Sequence, residues 1–293
     1  MSQCQLCGGE LDPDTHACPQ CAQHRAGVRR KTTMPLGSPS TNRNVSARTV
    51  RPQTPARSIR STQSMSNLTG TTGALLKQMV AAAQQGRAHP REDVVIVLDV
   101  SGSMDECDME GWRRLDAAME CLERLIRDKQ RSDPDDQIGL VSFSDTAHVA
   151  APLKPLHDAS SLLTALHDAR GGGSTNLRAA LTVAGQELRS DGQADAATVR
   201  RIVVLSDGFE NVGTATSIAD QLKDKDGAII QSVGVAGDPA APNRPLLEEI
   251  ASLIGSERQY RYITNFTSLQ RHLTHVSRKL STTVWPGSGA PQP

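Results

Sequence analysis

Aromatic side chains are nearly missing from this chain. There are seven Phe, Tyr and Trp in 293 residues, and none precedes Trp112. A segment without aromatics and with excess charge buries little apolar area, so residues 1–90 are not expected to form a sizeable core. No apolar run approaches the roughly 20 residues that span a bilayer, which excludes an evident membrane helix. The N-terminus lacks a charged stretch followed by an apolar one, so no signal peptide is expected. Six cysteines are too sparse for a secreted disulfide scaffold, and four of them fall within the first 21 residues. There is no Gly-x-x-x-x-Gly-Lys-Ser/Thr phosphate loop, no Gly-x-Ser-x-Gly elbow and no His-Glu-x-x-His.

The formal net charge is zero, but it is a sum of opposites. Residues 1–90 carry 11 basic and 3 acidic side chains, a balance of +8, and residues 91–293 carry 21 and 29, a balance of −8. The acidic part, of moderate size, suits one domain.

The cysteines are spaced Cys4-x2-Cys7-x10-Cys18-x2-Cys21. Two Cys-x-x-Cys pairs bring four thiolates around one ion, and Gly8-Gly9 and Pro19 suit the tight turns between them. A cluster this small with no apolar surroundings needs a metal to fold, which favours Zn²⁺ over two disulfides, a redox pair or an iron site. The pattern resembles the zinc ribbon of many bacterial proteins, a closed structural site. His16 and His24 lie nearby but are not needed as ligands.

Residues 25–72 are rich in Ser, Thr, Arg and Pro, with nine basic and no acidic residues from Arg25 to Arg60. This composition reads as a disordered tether. Two other uses stay open. The segment can bind nucleic acid or an anionic surface weakly, although it has no aromatics to stack on bases. It can also be phosphorylated, with Thr32, Thr33 and Thr54 as candidate acceptors. Residues 73–86 follow as a short helix, with Leu75, Leu76, Met79, Val80 and Ala83 on one face.

From residue 91 the pattern changes. Asp93–Leu98 and Arg201–Leu205 are largely β-branched apolar runs, and Ala228–Val233 is similar around Gln231 and Ser232, as expected of strands buried on both faces of a parallel sheet. Gln137–Phe143 and Tyr260–Ile263 add strands, and Ala147–Ala151 follows a tight Ser144-Asp145 turn as an antiparallel edge. Helical stretches alternate with them: Trp112–Lys129, Ala159–His167, Asn176–Leu188, Ile218–Asp224, Pro245–Ile254 and Ser268–Leu280. The expectation is a doubly wound α/β sheet, with ligands beyond the carboxyl ends of the strands.

Hard oxygen donors collect at those ends. Asp99-Val-Ser101-Gly-Ser103 follows the first strand, Ser206-Asp207-Gly208 follows another, and Thr175 follows Gly171-Gly-Gly-Ser. Mg²⁺ takes six oxygens near 2.1 Å and keeps several waters. Three hydroxyls from Ser101, Ser103 and Thr175, with the carboxylates of Asp99 and Asp207, fill most of that shell.

In this order the motifs resemble the von Willebrand factor A (vWA) domain and its metal-ion-dependent adhesion site, over about residues 91–281. The resemblance implies a six-stranded, mostly parallel Rossmann-like sheet with one antiparallel edge strand. It implies Mg²⁺ or Mn²⁺ at the five residues, with coordination completed by an Asp or Glu of a protein partner. It also implies a binding module in place of an enzyme. A hydrolase using the same metal lacks an evident general base beside the site. Intracellular vWA proteins of this kind are associated with AAA+ ATPases, Ser/Thr kinases or phosphatases, and the implied location is cytoplasmic. After Ser103 the loop carries Asp105, Glu106, Asp108 and Glu110 without an intervening base. Asp105, Glu106 and Asp108 are therefore candidates for an acidic rim, or for a second cation site like that of some integrin relatives. The expected layout is a zinc ribbon (1–24), linker (25–72), short helix and connection (73–90), vWA domain (91–281) and disordered tail (282–293). Cys107 and Cys121 are expected to be free thiols, and His148, His157 and His167 surface or packing residues.

Overall fold

A computed structural model describes residues 70–190, 195–207, 215–236 and 244–280. The ribbon cysteines Cys4, Cys7, Cys18 and Cys21, the linker threonines Thr32, Thr33 and Thr54, and the tail all lie outside the described residues.

The run of β-branched residues at 91–99 forms the central strand. β1 (Arg91–Asp99) pairs in parallel with β2 (Gln137–Phe143) on one side and β4 (Thr198–Ser206) on the other. β3 (Ala147–Pro155) runs antiparallel to β2, while β5 (Ile229–Val235) and β8 (Tyr260–Ile263) extend the parallel part. The six-stranded order is β3-β2-β1-β4-β5-β8. Chain order reverses direction at β1, between β2 and β4, and this switch point is where a doubly wound sheet opens a crevice at its carboxyl edge.

Period-two alternation divides the core into two layers. Val94, Ile96 and Leu98 face α2 (Arg114–Ser132), α3 (Ser160–Asp168) and α7 (Phe266–Val276), and join one apolar cluster with Leu122, Leu166 and Leu269. Val95 and Val97 face the opposite way, toward α4 (Leu177–Ser190), α5 (Thr216–Asp224) and α6 (Arg244–Ile250), in a second cluster with Leu181, Leu222 and Leu247. Each fully buried Leu, Ile or Val stabilises the fold by about 1.5–3 kcal/mol relative to exposure. These strands therefore hold the loops at their carboxyl ends on a stiff base.

Among the boundaries that differ from the periodicity, three are informative. α1 is Gly70–Gln84, so it starts three residues before the expected segment. It packs Leu75 against Val199, Ile229, Ile254 and Leu280 at the amino end of the sheet. α6 stops at Ile250 rather than Ile254, because Leu253–Ile254 (β6) turns back on Glu257–Arg258 (β7) in a small hairpin. Gly255 takes a φ of 61° in that turn, a conformation a glycine adopts without cost. α7 begins at Phe266 because the Asn265 side chain accepts the Ser268 N–H at 2.8 Å, an N-cap that hydrophobic period alone does not reveal.

Candidate metal centre at the carboxyl edge of the sheet

β1 ends at Asp99, and the chain then turns into a short 3₁₀ segment, Gly102–Asp105. Asp99 is fully buried. Its Oδ1 accepts the Ser101 N–H at 2.8 Å and its Oδ2 accepts the Ser206 hydroxyl. The carboxylate is thus fixed between the ends of β1 and β4. Ser101 Oγ and Ser103 Oγ lie 3.2 Å apart. Two neighbouring ligands on an octahedral ion with bonds of about 2.1 Å are separated by about 3.0 Å, so this spacing suits a shared cation. Asp207, one residue beyond β4, is also fully buried, and Thr175 is 2 % exposed.

The glycine run explains how Thr175 reaches this edge. Gly172 N–H donates to Val100 O at 2.8 Å, and Gly102 N–H donates to Gly173 O at 3.1 Å, so the two loops are zipped together. A Cβ at Gly171 would sit 1.5 Å from Val100 O. At Gly173, where φ is 83°, it would sit 2.1 Å from an oxygen of Asp145. The close approach requires bare backbone. Asp145 holds the same loop: its Oδ1 accepts the Ser174 N–H at 2.9 Å, and its own carbonyl accepts from the Asn176 side chain at 3.2 Å. Sequence reasoning saw Asp145 only as a turn residue, because its partners lie 29 to 31 residues away.

Two buried carboxylates near each other carry a cost. Burial, and then the charge of Asp207, push the Asp99 carboxyl up to about 6, although Ser101 and Ser206 donate to it. Among the described residues no three His, Cys, Asp or Glu side chains converge as a metal cluster. Any cation here would draw on hydroxyls together with Asp99 and Asp207, the donor set that suits Mg²⁺ or Mn²⁺.

The loop acids meet arginines. Arg113 ion-pairs with Asp105 at 3.0 Å and with Asp116 at 2.8 Å. Arg114, 1 % exposed, pairs with Glu106, Asp108 and Asp207. The positive charge beside Asp105, Glu106 and Asp108 in this structure is therefore that of two guanidinium groups. They are the N-cap and first residue of α2, beyond residues 104–110, which hold no base of their own. Neither Cys107 nor Cys121 is in a disulfide, and burial pushes the Cys121 thiol up to about 12.

Residues 93–275 match the family model for the von Willebrand factor type A domain, a span that holds all five oxygen-donor positions. The chain belongs to this family. Solved structures share the vWA fold at low identity. BatB from Bacteroides thetaiotaomicron is 21 % identical with a TM-score of 0.52, covering 66 % of this chain and 98 % of its own. The PilB minor pilin of Streptococcus sanguinis is 18 % identical, TM-score 0.54, covering 69 % and 64 %. A von Willebrand factor type A protein from Catenulispora acidiphila is 18 % identical, TM-score 0.51, covering 65 % and 42 %. The chain thus spans less than two thirds of the latter two proteins. A search of curated proteins finds no match. vWA domains are in general protein–protein interaction modules, and no helix among the described residues is long and apolar enough to cross a membrane.

Proposed function

We propose that the vWA domain binds a protein partner through a divalent cation, Mg²⁺ or Mn²⁺, held by Asp99, Ser101, Ser103, Thr175 and Asp207. One observation carries the reading: two fully buried carboxylates converge with a pair of hydroxyls 3.2 Å apart at the switch point of the sheet. Buried carboxylates are ordinarily paired or metal-bound; Asp207 pairs with Arg114, whereas Asp99 is held by the Ser101 amide and the Ser206 hydroxyl and feels the Asp207 charge. Five protein donors, some acting through water, leave room in a six-oxygen shell for an acidic side chain of the partner. The cation supplies an electrostatic anchor for that carboxylate. The serines and Thr175 orient it, and the zipped 100–102 and 171–173 loops keep the donors in place.

In the same reading the Cys4, Cys7, Cys18 and Cys21 cluster holds Zn²⁺ as a small interaction module. The basic linker tethers it, with Thr32, Thr33 and Thr54 open to phosphorylation in a cytoplasmic complex with a kinase, phosphatase or AAA+ ATPase. The decisive experiment is affinity capture from native lysate with Mg²⁺ against EDTA, using wild type and Asp99→Ala. The reading requires partners that depend on Mg²⁺ and vanish with Asp99→Ala. Identical partner sets in all arms reject it.

A further inference from the structure

Arg114 is the least expected residue at this edge. It opens α2, its side chain is 1 % exposed, and every nitrogen of its guanidinium has a partner. Nε donates to Asp108 at 3.0 and 3.1 Å, and one terminal nitrogen donates to Asp108 and Glu106. The other terminal nitrogen reaches Asp207 Oδ2 at 3.1 Å and the Ser103 carbonyl at 3.3 Å. The Arg114 backbone N–H also donates to Glu106 O at 3.0 Å. One planar cation therefore touches the loop after β1, the loop after β4 and the acidic rim at once. Lysine could not do this, since its ammonium is a single point with no fork.

We infer that Arg114 is a tethered internal cation that tunes the proposed metal site, and that Glu106 and Asp108 set how strongly it does so. The inference rests on the divalent-cation reading above. Its content is a competition for charge. A guanidinium on Asp207 lowers the negative potential that a divalent ion would feel there. Glu106 and Asp108 draw on the same guanidinium and return part of that potential without touching the metal. The guanidinium keeps its positive charge in a protein, and Asp108, Glu106 and Asp207 surround it as counter-charges. The rim acids are also neutralised from within, so they do not repel an incoming acidic side chain as a bare acidic loop would. Arg114 is a positioning residue in this scheme, since it acts on the metal through Asp207.

The test is Mn²⁺ affinity of the full chain, read from the free-Mn²⁺ paramagnetic resonance signal, with hydrogen exchange of amides 104–112 alongside. Arg114→Gln removes the charge and should bind Mn²⁺ about tenfold more tightly, a direction no simple packing defect gives. Arg114→Lys keeps the charge and loses the fork. It should stay within about twofold of wild-type affinity while the rim amides exchange faster. Asp108→Asn leaves Arg114 in place and should weaken Mn²⁺ binding by about threefold. Asp108→Asn decides alone if Arg114→Gln does not fold. Folded Arg114→Gln with unchanged or weaker binding, or Asp108→Asn with unchanged binding, overturns the inference while leaving the metal reading intact if wild type binds and Asp99→Ala does not. No binding by wild type overturns both.

Discussion

Glu92 Oε2 lies 2.9 Å from Lys129 Nζ and 3.2 Å from Arg201 Nη1, and all three side chains are 1 % exposed. Asp136 joins the group through Lys129 and Lys279, and Leu280 N–H donates to Glu92 Oε1 at 2.7 Å. This buried charge network closes the amino end of the sheet, opposite the proposed metal centre. Burial on its own would push the Glu92 carboxyl up. Lys129, Arg201, Lys279 and the Leu280 amide outweigh it and lower the carboxyl to about 2 from a usual 4.5. A carboxylate with a depressed folded-state pKa stabilises the fold above its unfolded value and loses that contribution as pH falls. The loss should fall between about pH 5 and pH 2, and its size is on the order of 3 kcal/mol. Glu92→Gln should therefore melt lower than wild type at pH 7, because Lys129 and Arg201 lose a buried counter-charge. The gap should narrow as the pH is lowered toward 2. Asp99, pushed up to about 6, works in the opposite sense in both proteins, so the difference between them isolates Glu92. Melting curves by circular dichroism in EDTA decide it, and a gap that stays constant from pH 7 to 2.5 contradicts the assignment.

Two neighbouring glycines should respond differently to alanine. At Gly171 the added methyl would meet the Val100 carbonyl at 1.5 Å, backbone against backbone, with no flexible side chain to yield. The 100–102 and 171–173 loops would have to part. Overpacking of this kind costs upward of about 3 kcal/mol, or a fall of about 6–12 °C in a domain of this size. Gly172, with a φ of 142°, has nothing within 4 Å of a built Cβ. Its replacement meets only backbone strain of about 1–3 kcal/mol. Equal melting shifts for Gly171→Ala and Gly172→Ala would count against the zipped-loop account.

A divalent cation that binds the folded state alone raises stability by mass action. Mg²⁺ at 100 times its dissociation constant should add about 2.7 kcal/mol. Asp207→Asn removes a buried carboxylate of the site and also one partner of the buried Arg114, so it should shrink the Mg²⁺ increment and should not raise the melting temperature in EDTA. Thermal denaturation across a Mg²⁺ titration reads both. A wild-type melt indifferent to Mg²⁺ and Mn²⁺ would remove the cation from the site.

The architecture was legible because its signals are local. β1 and β4 carry the apolar runs Val94–Leu98 and Ile202–Leu205, and β5 carries Ile229, Ile230, Val233 and Val235 around Gln231 and Ser232, a pattern that suits buried parallel strands. The places of Asp99, Ser101, Ser103, Thr175 and Asp207, the proposed donors, were legible because each stands near a strand end or just before a helix. What stayed hidden was long in range. Arg114 reaches Asp207 across 93 residues of chain, and Asp145 reaches Ser174 across 29. A count of charge along residues 104–110 cannot register a guanidinium that arrives from the next helix. The same holds for α6, where hydrophobic period ran through Leu253 and Ile254 although Gly255 had already set a hairpin.

Trp112 stacks on Phe266 with ring centroids 4.6 Å apart and planes 5° from parallel. The pair joins the rim loop, where Met109 and Trp112 bridge through their backbones, to the start of α7. Both rings are partly buried against the same core cluster, so each truncation should cost less than the 3–5 kcal/mol of a fully buried aromatic. Their mutual contribution is separable. Trp112→Ala and Phe266→Ala each remove the stack, and the double variant removes it once. A double-mutant cycle by urea unfolding should return a coupling of about 0.5–1.5 kcal/mol. That energy is the mechanical tie between the loop beside the proposed metal centre and the last helix of the sheet's cover. Hydrogen exchange gives a second reading: Phe266→Ala, which leaves every residue of the rim in place, should still loosen amides 109–113. Additive losses in the cycle, with unchanged exchange at 109–113, would mean that the two rings share the core without holding the loop to the helix.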